Sequence, residues 1–165
     1  MPEATLTALQ DAAVALAKSV HYESAGTVEF VYDAQAQNFY FLEVNTRLQV
    51  EHGVTEEVYG VDLVRWMIEQ AADDFTLPDT LTPQGAAVEV RVYAENPAEN
   101  FAPCAGTLTA FAAGSDLRVD TWVEAGTAVS PYYDPMLAKF IATGATRDEA
   151  LFSKLGIVKL HSAAL

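Results

Sequence analysis

Two glutamates in neighbouring strand-like segments are the first residues whose types and spacing suggest chemistry. Residues 27–32 and 39–44 are rich in β-branched and aromatic side chains, and a short polar stretch separates them, which predicts a β-hairpin. Regular pairing across this loop places Glu29 opposite Glu43. It also places Asn45 on the same face, because side chains alternate along a strand. The hairpin is therefore expected to bring two carboxylates and an amide together.

Two interpretations of this carboxylate pair stay open from the spacing alone. Directly opposed like charges destabilise a sheet, and the cost rises if Phe39 and Phe41 line the same face, as regular alternation predicts. A divalent cation such as Mg²⁺, which takes oxygen ligands from carboxylates, amides and phosphates, would convert the pair into a binding site. In the alternative interpretation, the hairpin presents a solvated outer face and the charges separate into water.

The segment that follows Asn45 concentrates further functional side chains within a few residues. Arg47 can hold a small planar anion through two parallel hydrogen bonds, and Glu51 can act as a general base. His52 is interpreted as a hydrogen-bonded structural group and is assigned no catalytic role. Arg91, on the polar side of a later strand, is either a second anion-binding residue or a surface ion-pair partner.

Helices and strands elsewhere in the chain would have to position these residues. Apolar residues at three- and four-residue steps predict a helix over residues 5–20, and Asp62 is the expected N-cap of a second helix that runs to Ala71. Alternation predicts a strand over residues 87–94, and no regular element is assigned between Asn45 and Asp62. Further expected elements are strands at residues 107–111, 117–123 and 137–143 and a short helix at residues 147–155. We therefore expect an α+β fold, with a mainly antiparallel sheet and flanking helices.

Composition excludes some partners and favours one compartment. The formal net charge of -14 disfavours nucleic acid and anionic membrane, because the field of the protein repels phosphates. Cys104 is the single cysteine, so no internal disulfide exists, which fits a reducing compartment. No long apolar run or signal pattern is present, and the expected location is cytoplasmic.

Several motifs in this sequence resemble the biotin carboxylase family, which is built on the ATP-grasp fold. The most specific of them is FLEVNTRLQVEH, residues 41–52. The resemblance extends over most of the chain, through residues 26–30, 54–56, 60–63, 89–95 and 131–136. It implies the C-terminal half of an ATP-grasp domain followed by part of a β-rich biotin carboxylase C-terminal domain. In that family, ATP converts bicarbonate to carboxyphosphate, and the CO₂ released from it carboxylates N1′ of biotin.

The resemblance assigns a role to each candidate site residue. It implies metal ligation by Glu29, Glu43 and Asn45, with Mg²⁺ or Mn²⁺ as the metal. It implies bicarbonate binding by Arg47, Gln49 and the backbone of Val50. Glu51 matches the base that deprotonates bicarbonate, and Arg91 matches the cation that stabilises the biotin enolate. The implied cofactors and partners are ATP, biotin on a carrier domain, and bicarbonate.

The resemblance also predicts a division of the chain into three segments. Residues 1–77 match the ATP-grasp part, residues 78–155 match a truncated C-terminal domain, and residues 156–165 depart from the family as an atypical tail. The family's N-terminal region, with its glycine-rich lid and ATP-binding lysines, has no counterpart here, so it is an expected partner. We therefore expect a fragment of a carboxylase that is inactive in isolation. The alternative is a non-catalytic binding or oligomerisation module derived from an acyl-CoA- or pyruvate-type biotin carboxylase.

Finer features favour the urea carboxylase branch of the family. Gly53 stands where most relatives have proline, and Trp122 and the segment 93–97 also resemble that branch. Trp122 has a second interpretation as a core aromatic. Relatives use their C-terminal region in dimer contacts, so a homodimer with Asp134 at its interface is a further expectation.

Overall fold

The computed structural model describes residues 1–154, which form two compact units of α+β structure. The first unit contains residues 1–52 and 62–79, and the second contains residues 53–61 and the described residues from 80 onward. The predicted tail, residues 156–165, lies outside the described residues. In the described part of the chain, no helix is both long and apolar enough to cross a membrane.

The first unit consists of two helices and one hairpin. Helix α1 (Glu3–Ser19) precedes the antiparallel strands β1 (Thr27–Asp33) and β2 (Asn38–Asn45). The helix predicted after Asp62 is present as α3 (Leu63–Ala71), and the Asp62 carboxylate accepts a hydrogen bond from the Arg65 N–H at 2.8 Å. That contact satisfies one of the free N–H groups at the helix start. Both the hairpin and the Asp62 cap predicted from the sequence are therefore confirmed.

A β-bulge corrects the predicted faces of the hairpin. Glu29 pairs with Glu43 as expected, but the next pair is Phe30 with Phe41, which leaves Leu42 as the extra residue in β2. The ring of Phe30 therefore makes edge contacts with Phe39 and Phe41, at 5.4 and 6.2 Å between centroids. The expectation that these aromatics line the carboxylate face is wrong. Because of the bulge, both rings lie on the face of Phe30, opposite the face that carries the two glutamates.

The second unit is built around a three-stranded antiparallel sheet. The sheet has the strand order β3 (Ala86–Tyr93), β9 (Met136–Gly144), β7 (Arg118–Thr121). Four two-residue strands form two small pairs, β4 (Glu95–Asn96) with β5 (Ala102–Pro103), and β6 (Gly106–Thr107) with β8 (Ala128–Val129). A π-helical turn, Glu149–Lys154, stands where a short helix was predicted. The strand predicted at residues 107–111 is limited to its first residue, Thr107.

The two faces of this sheet differ in chemistry. The alternation in β3 puts Val90 on one face, opposite the fully buried Phe140, and Arg91 on the other, opposite Lys139. A core packs in the same unit and is formed by Ala94, Leu108, Val123, Val129 and Leu137, with Phe111 against it. The polar face carries charged side chains from all three strands, and we refer to it below as the polar face of the sheet.

One helix was not expected from the sequence. Helix α2 (His52–Tyr59) occupies the segment after the Arg47 motif, where no regular element was assigned. All but its first residue belong to the second unit. It ends at Gly60, whose φ of 65° is the left-handed conformation that glycine adopts without strain. The N–H of Gly60 donates to the Glu56 carbonyl at 2.8 Å and closes the last turn.

The polar face leads to a prediction for acid stability. Burial alone would raise the pKa of Asp120, but hydrogen bonds from Arg118 and Lys139 outweigh this effect and lower that pKa below its ordinary value of 3.8. The ionised carboxylate therefore stabilises the fold above the ordinary pKa, and this contribution is lost as the pH falls below it. We expect the free energy of unfolding, measured by urea titration, to fall with pH below 3.8.

Asp120→Asn isolates this contribution to stability. The variant should be less stable at pH 7 and should lose less stability on acidification than the parent chain. Asp116→Asn, at an exposed aspartate four positions earlier, is the matched control and should titrate like the parent. Parallel acid profiles for the Asp120 variant and the parent would contradict the assignment.

Candidate functional site

The carboxylates of the hairpin converge on the amide of Asn45. The Nδ2 group of Asn45 donates to Oε1 of Glu29 at 2.7 Å and to Oε1 of Glu43 at 3.3 Å. Glu29 and Asn45 are half-buried, whereas Glu43 is exposed. The amide therefore lies between two negative groups and partly offsets their repulsion, since its N–H bonds are the only positive dipoles that this side chain offers.

Gln49 joins the same cluster from the segment after the hairpin. Its Nε2 group donates to Oε1 of Glu29 at 3.1 Å, the same oxygen that accepts from Asn45. The sequence motif implied a bicarbonate-binding role for Gln49 but did not reveal this contact. Alternation within a strand cannot reveal it, because Gln49 lies beyond the end of β2. The structure thus connects the predicted metal ligands to the predicted anion-binding segment through one hydrogen bond.

The cluster fits a hard divalent cation better than a soft one. Its donors are carboxylate and amide oxygens, which suit Mg²⁺ or Mn²⁺. Among the described residues, no group of three or more His, Cys, Asp or Glu side chains is arranged to hold a metal. A cation bound by Glu29 and Glu43 would therefore take its other oxygens from amides, water or a substrate. Few protein ligands and several external oxygens are the usual coordination of Mg²⁺ at a phosphate site.

This arrangement leads to a binding prediction for the chain itself. Glu43→Gln removes one charge from the cluster and should weaken Mn²⁺ binding, followed by electron paramagnetic resonance, by about tenfold or more. Glu23→Gln is the matched control, because it removes the same charge from an exposed residue outside the cluster and should leave the affinity within about twofold. Equal affinities in both variants would mean that the pair is only a solvated face.

Arg47 and Glu51 are both exposed in the segment between β2 and α2. The Arg47 side chain is exposed, and its Nη1 donates a long hydrogen bond, 3.4 Å, to the Leu48 carbonyl. Its guanidinium fork therefore remains available to a planar anion. Val50 and Glu51 form the turn that leads into α2, and Glu51 is exposed directly before the first helical residue.

His52 is fixed by its own neighbours, as its structural interpretation predicts. Its backbone N–H donates to the Gln49 carbonyl at 3.2 Å, and its ring Nδ1 lies 2.9 Å from the same oxygen. A ring nitrogen that faces a carbonyl must carry the proton, so this contact selects the tautomer with hydrogen on Nδ1. The ring therefore braces the turn that carries Glu51.

Arg91 lies in the second unit, whereas the other predicted site residues belong to the first. It is exposed on β3, and its guanidinium carbon stands 5.8 Å from the centre of the Tyr93 ring. Its cross-strand neighbour is Lys139, so two cations face each other on the polar face. The ion pair between Lys139 Nζ and Asp120 Oδ2, at 3.1 Å, offsets this repulsion.

Two family models match consecutive parts of the chain. Residues 1–79 match the carbamoyl-phosphate synthase L chain ATP-binding domain, and residues 89–158 match the biotin carboxylase C-terminal domain. Urea amidolyase of Saccharomyces cerevisiae is 52% identical over 157 residues, which are 94% of this chain and 8% of that protein. The chain therefore spans only a small part of the length of this relative.

Solved structures show the same likeness in three dimensions. The crystal structure of the Kluyveromyces lactis urea carboxylase matches with a TM-score of 0.88 and 50% identity, over 93% of this chain and 14% of that one. The biotin carboxylase domain dimer of Hydrogenobacter thermophilus 2-oxoglutarate carboxylase, in complex with MgADP, ADP and bicarbonate, matches with a TM-score of 0.87 and 34% identity. That match covers 98% of this chain and 37% of the other.

Proposed function

The chain belongs to the biotin carboxylase family, and from this we propose that it supplies the metal- and bicarbonate-binding half of an ATP-dependent biotin carboxylation site. The observation that carries the proposal is the convergence of Glu29, Glu43, Asn45 and Gln49 on one oxygen cluster. An outer face with charges that separate into water would not need one amide that bridges the two carboxylates and a second amide on Glu29. A site that brings a metal next to an anion-binding segment does need such a link.

The proposed reaction divides among the residues of this segment. Arg47 holds bicarbonate through its guanidinium, with Gln49 and the backbone of Val50 beside it. Glu51 accepts the proton of bicarbonate, which makes the anion a stronger nucleophile toward the terminal phosphate of ATP. Mg²⁺ at Glu29 and Glu43, when bound, supplies charge neutralisation for the phosphates. Arg91 stabilises the negative charge that develops on biotin when its N1′ proton is removed.

The composition of the relative's complex supports ATP, Mg²⁺ and bicarbonate as ligands. The Hydrogenobacter thermophilus domain was solved with MgADP and bicarbonate, and it matches nearly the whole of this chain. Biotin as the carboxyl acceptor follows from the family. That relative is also a dimer, which supports a homodimer in the parent protein of this chain. A cytoplasmic location agrees with the single cysteine.

Urea is the proposed final acceptor in the parent enzyme. Relatives named urea amidolyase and urea carboxylase match this chain at 52% and 50% identity. Trp122, one of the residues that suggested this branch, is 58% exposed, and its Nε1 donates to the Met136 carbonyl at 2.7 Å. It is therefore not the core aromatic of the second interpretation. An exposed indole fixed by a backbone contact is better suited to a surface contact than to packing.

We further propose that residues 1–77 form the C-terminal part of an ATP-grasp domain and residues 78–155 form the biotin carboxylase C-terminal domain. The two family models, which meet between residues 79 and 89, support this boundary. The described residues of the oxygen cluster are half-buried or exposed, and catalysis of phosphoryl transfer depends on positioning the nucleotide as well as the metal. We therefore expect the isolated chain to release no phosphate from ATP above the blank.

The proposal is tested by transplanting this chain into a complete relative. Residues 1–154 would replace the homologous segment of the Kluyveromyces lactis urea carboxylase, and phosphate release from ATP would be followed with Mg²⁺, bicarbonate and biotin. We expect bicarbonate-dependent turnover within about tenfold of the parent enzyme. A folded hybrid without turnover would overturn the proposed function.

A further inference from the structure

The polar face of the second-unit sheet carries a group of charges that the proposed reaction does not use. We call this group the charged layer; it is formed by Glu56, Glu57, Arg118, Asp120 and Lys139. Two of its members, Glu56 and Lys139, are 6% and 7% exposed. The two glutamates come from α2, and the other three residues come from β7 and β9.

Arg118 is the centre of the charged layer. Its Nη2 lies 2.7 Å from Oε2 of Glu56, and its Nη1 lies 3.3 Å from Oε1 of Glu57. The same guanidinium contacts Asp120 through two N–H groups, Nε to Oδ1 at 2.9 Å and Nη2 to Oδ2 at 3.1 Å. One planar group therefore holds two consecutive helical carboxylates and one strand carboxylate in a fixed geometry.

Such a network has more value for geometry than for stability. Charges that leave water lose solvation, and well-packed apolar side chains of similar volume often stabilise a fold as much or more. What apolar packing does not provide is a fixed direction, which the fork of an arginine does provide. The charged layer is therefore best explained by a need to hold α2 in one orientation.

Helix α2 needs this help because it is short and carries a functional residue at its start. An isolated helix of eight residues is marginal in water, so its position depends on tertiary contacts. Glu56 lies one turn after His52, the first residue of the helix. Glu51 is the residue directly before the helix, and the direction of its backbone therefore follows from the first turn of α2.

We propose that Arg118 is a positioning residue: by holding Glu56 and Glu57 it fixes the direction of the short helix α2, and thereby the backbone of Glu51 at its N-terminus, for proton transfer. The role of Glu51 rests on the proposed function above. The fixing of α2 does not rest on it, because the contacts of Arg118 exist in the chain as it stands. A misplacement of about 1 Å can lower a catalytic rate about a hundredfold, so a remote positioning group can affect the rate substantially.

The first test is amide hydrogen exchange in the full chain. Arg118→Gln should speed exchange of the α2 amides at residues 56–59 by about tenfold or more, while β3 and β9 amides change by less than about threefold. Arg118→Lys keeps the charge without the fork and should recover only part of the protection. Arg147→Gln, at an exposed arginine of the same unit, is the control and should leave α2 unchanged. A uniform rise over helix and sheet, or no rise, would overturn the proposal.

The second test separates positioning from folding in the hybrid carboxylase. Arg118→Gln should lower kcat by about tenfold or more while the KM for ATP stays within about twofold, and Arg118→Lys should restore part of kcat. An unchanged kcat would overturn the link to Glu51, even if α2 loosens. An inactive unsubstituted hybrid would instead reject the proposed function and with it the role in proton transfer. The exchange experiment would still decide whether Arg118 fixes the helix.

Discussion

Replacing Glu51 by glutamine in the hybrid carboxylase should lower bicarbonate-dependent phosphate release by about two to four powers of ten. Glutamine keeps the shape of the side chain and loses the ability to accept a proton, so binding and folding should persist while proton transfer fails. Glu51 is exposed in the turn before α2, and a neutral amide should fit there without a rearrangement. The expected signature is a fall in kcat with little change in the KM for ATP.

The comparison for Glu51 is a glutamate with the same charge and no proposed role. Glu124→Gln is suitable, because Glu124 is exposed in the second unit and should leave turnover within about twofold of the unsubstituted hybrid. If Glu51→Gln retained turnover at the level of this control, Glu51 would not be the base. Thermal melting of both variants would show that any loss of rate is not a loss of fold.

Replacing Gly53 by alanine should produce the largest loss of stability among the single substitutions considered for this chain. Gly53 is buried in the first turn of α2, and a Cβ atom there would overlap Cδ1 of Ile141 and stand 3.3 Å from Oε2 of Glu89. Ile141 is 1% exposed, so its side chain has little room to move. Overpacking of this kind costs about 1–3 kcal/mol, and the propensity gain from alanine is smaller in the first turn than the roughly 1 kcal/mol of a helix interior.

A second substitution makes the cause of this loss testable. Ile141→Val removes Cδ1, after which the nearest remaining Ile141 atom to the new Cβ is Cγ1 at 3.6 Å, an ordinary contact. The double variant should therefore lose less free energy of unfolding than the two single losses add up to, by about 1 kcal/mol or more. Gly114→Ala is the control, because nothing lies within 4 Å of a Cβ there. Strict additivity in urea unfolding would show that the steric contact is not the reason.

Local sequence patterns predict this fold correctly where residues close together in the chain decide the structure. The hairpin, the Asp62 cap and the alternating strand β3 all follow from residues that are close together in the chain. The opposition of Glu29 and Glu43 was predicted by regular pairing counted across the loop. The bulge at Leu42 was not predicted. The residues before and after Leu42 have the types expected of a regular strand, so the sequence does not show which residue is extra.

Helix α2 shows why other parts of the fold could not be predicted from sequence. Its residues have no strong apolar stripe, and what holds it is Arg118, 61 positions after Glu57. A contact over that separation is a tertiary effect that no local window contains. The same reason applies to the hydrogen bond between Gln49 and Glu29. These residues lie 20 positions apart, Glu29 in β1 and Gln49 after the end of β2. The motif predicted which residues matter, and only the structure shows that these two touch.

Because Leu42 is the extra residue of the bulge, deleting it affects the pairing of the hairpin differently from deleting a neighbouring residue. Because this residue has no cross-strand partner, deleting it would leave every pair of the hairpin in place, from Thr27 with Asn45 to Asp33 with Asn38. Deleting a paired residue between Leu42 and the loop would instead shift the pairing of β2, and a shift by one residue exchanges the two faces of a strand. The hairpin therefore has one position where a deletion leaves the face that carries Glu29 and Glu43 unchanged. At a paired residue such as Tyr40, the same gap would bring the Phe39 ring to the side of the carboxylates.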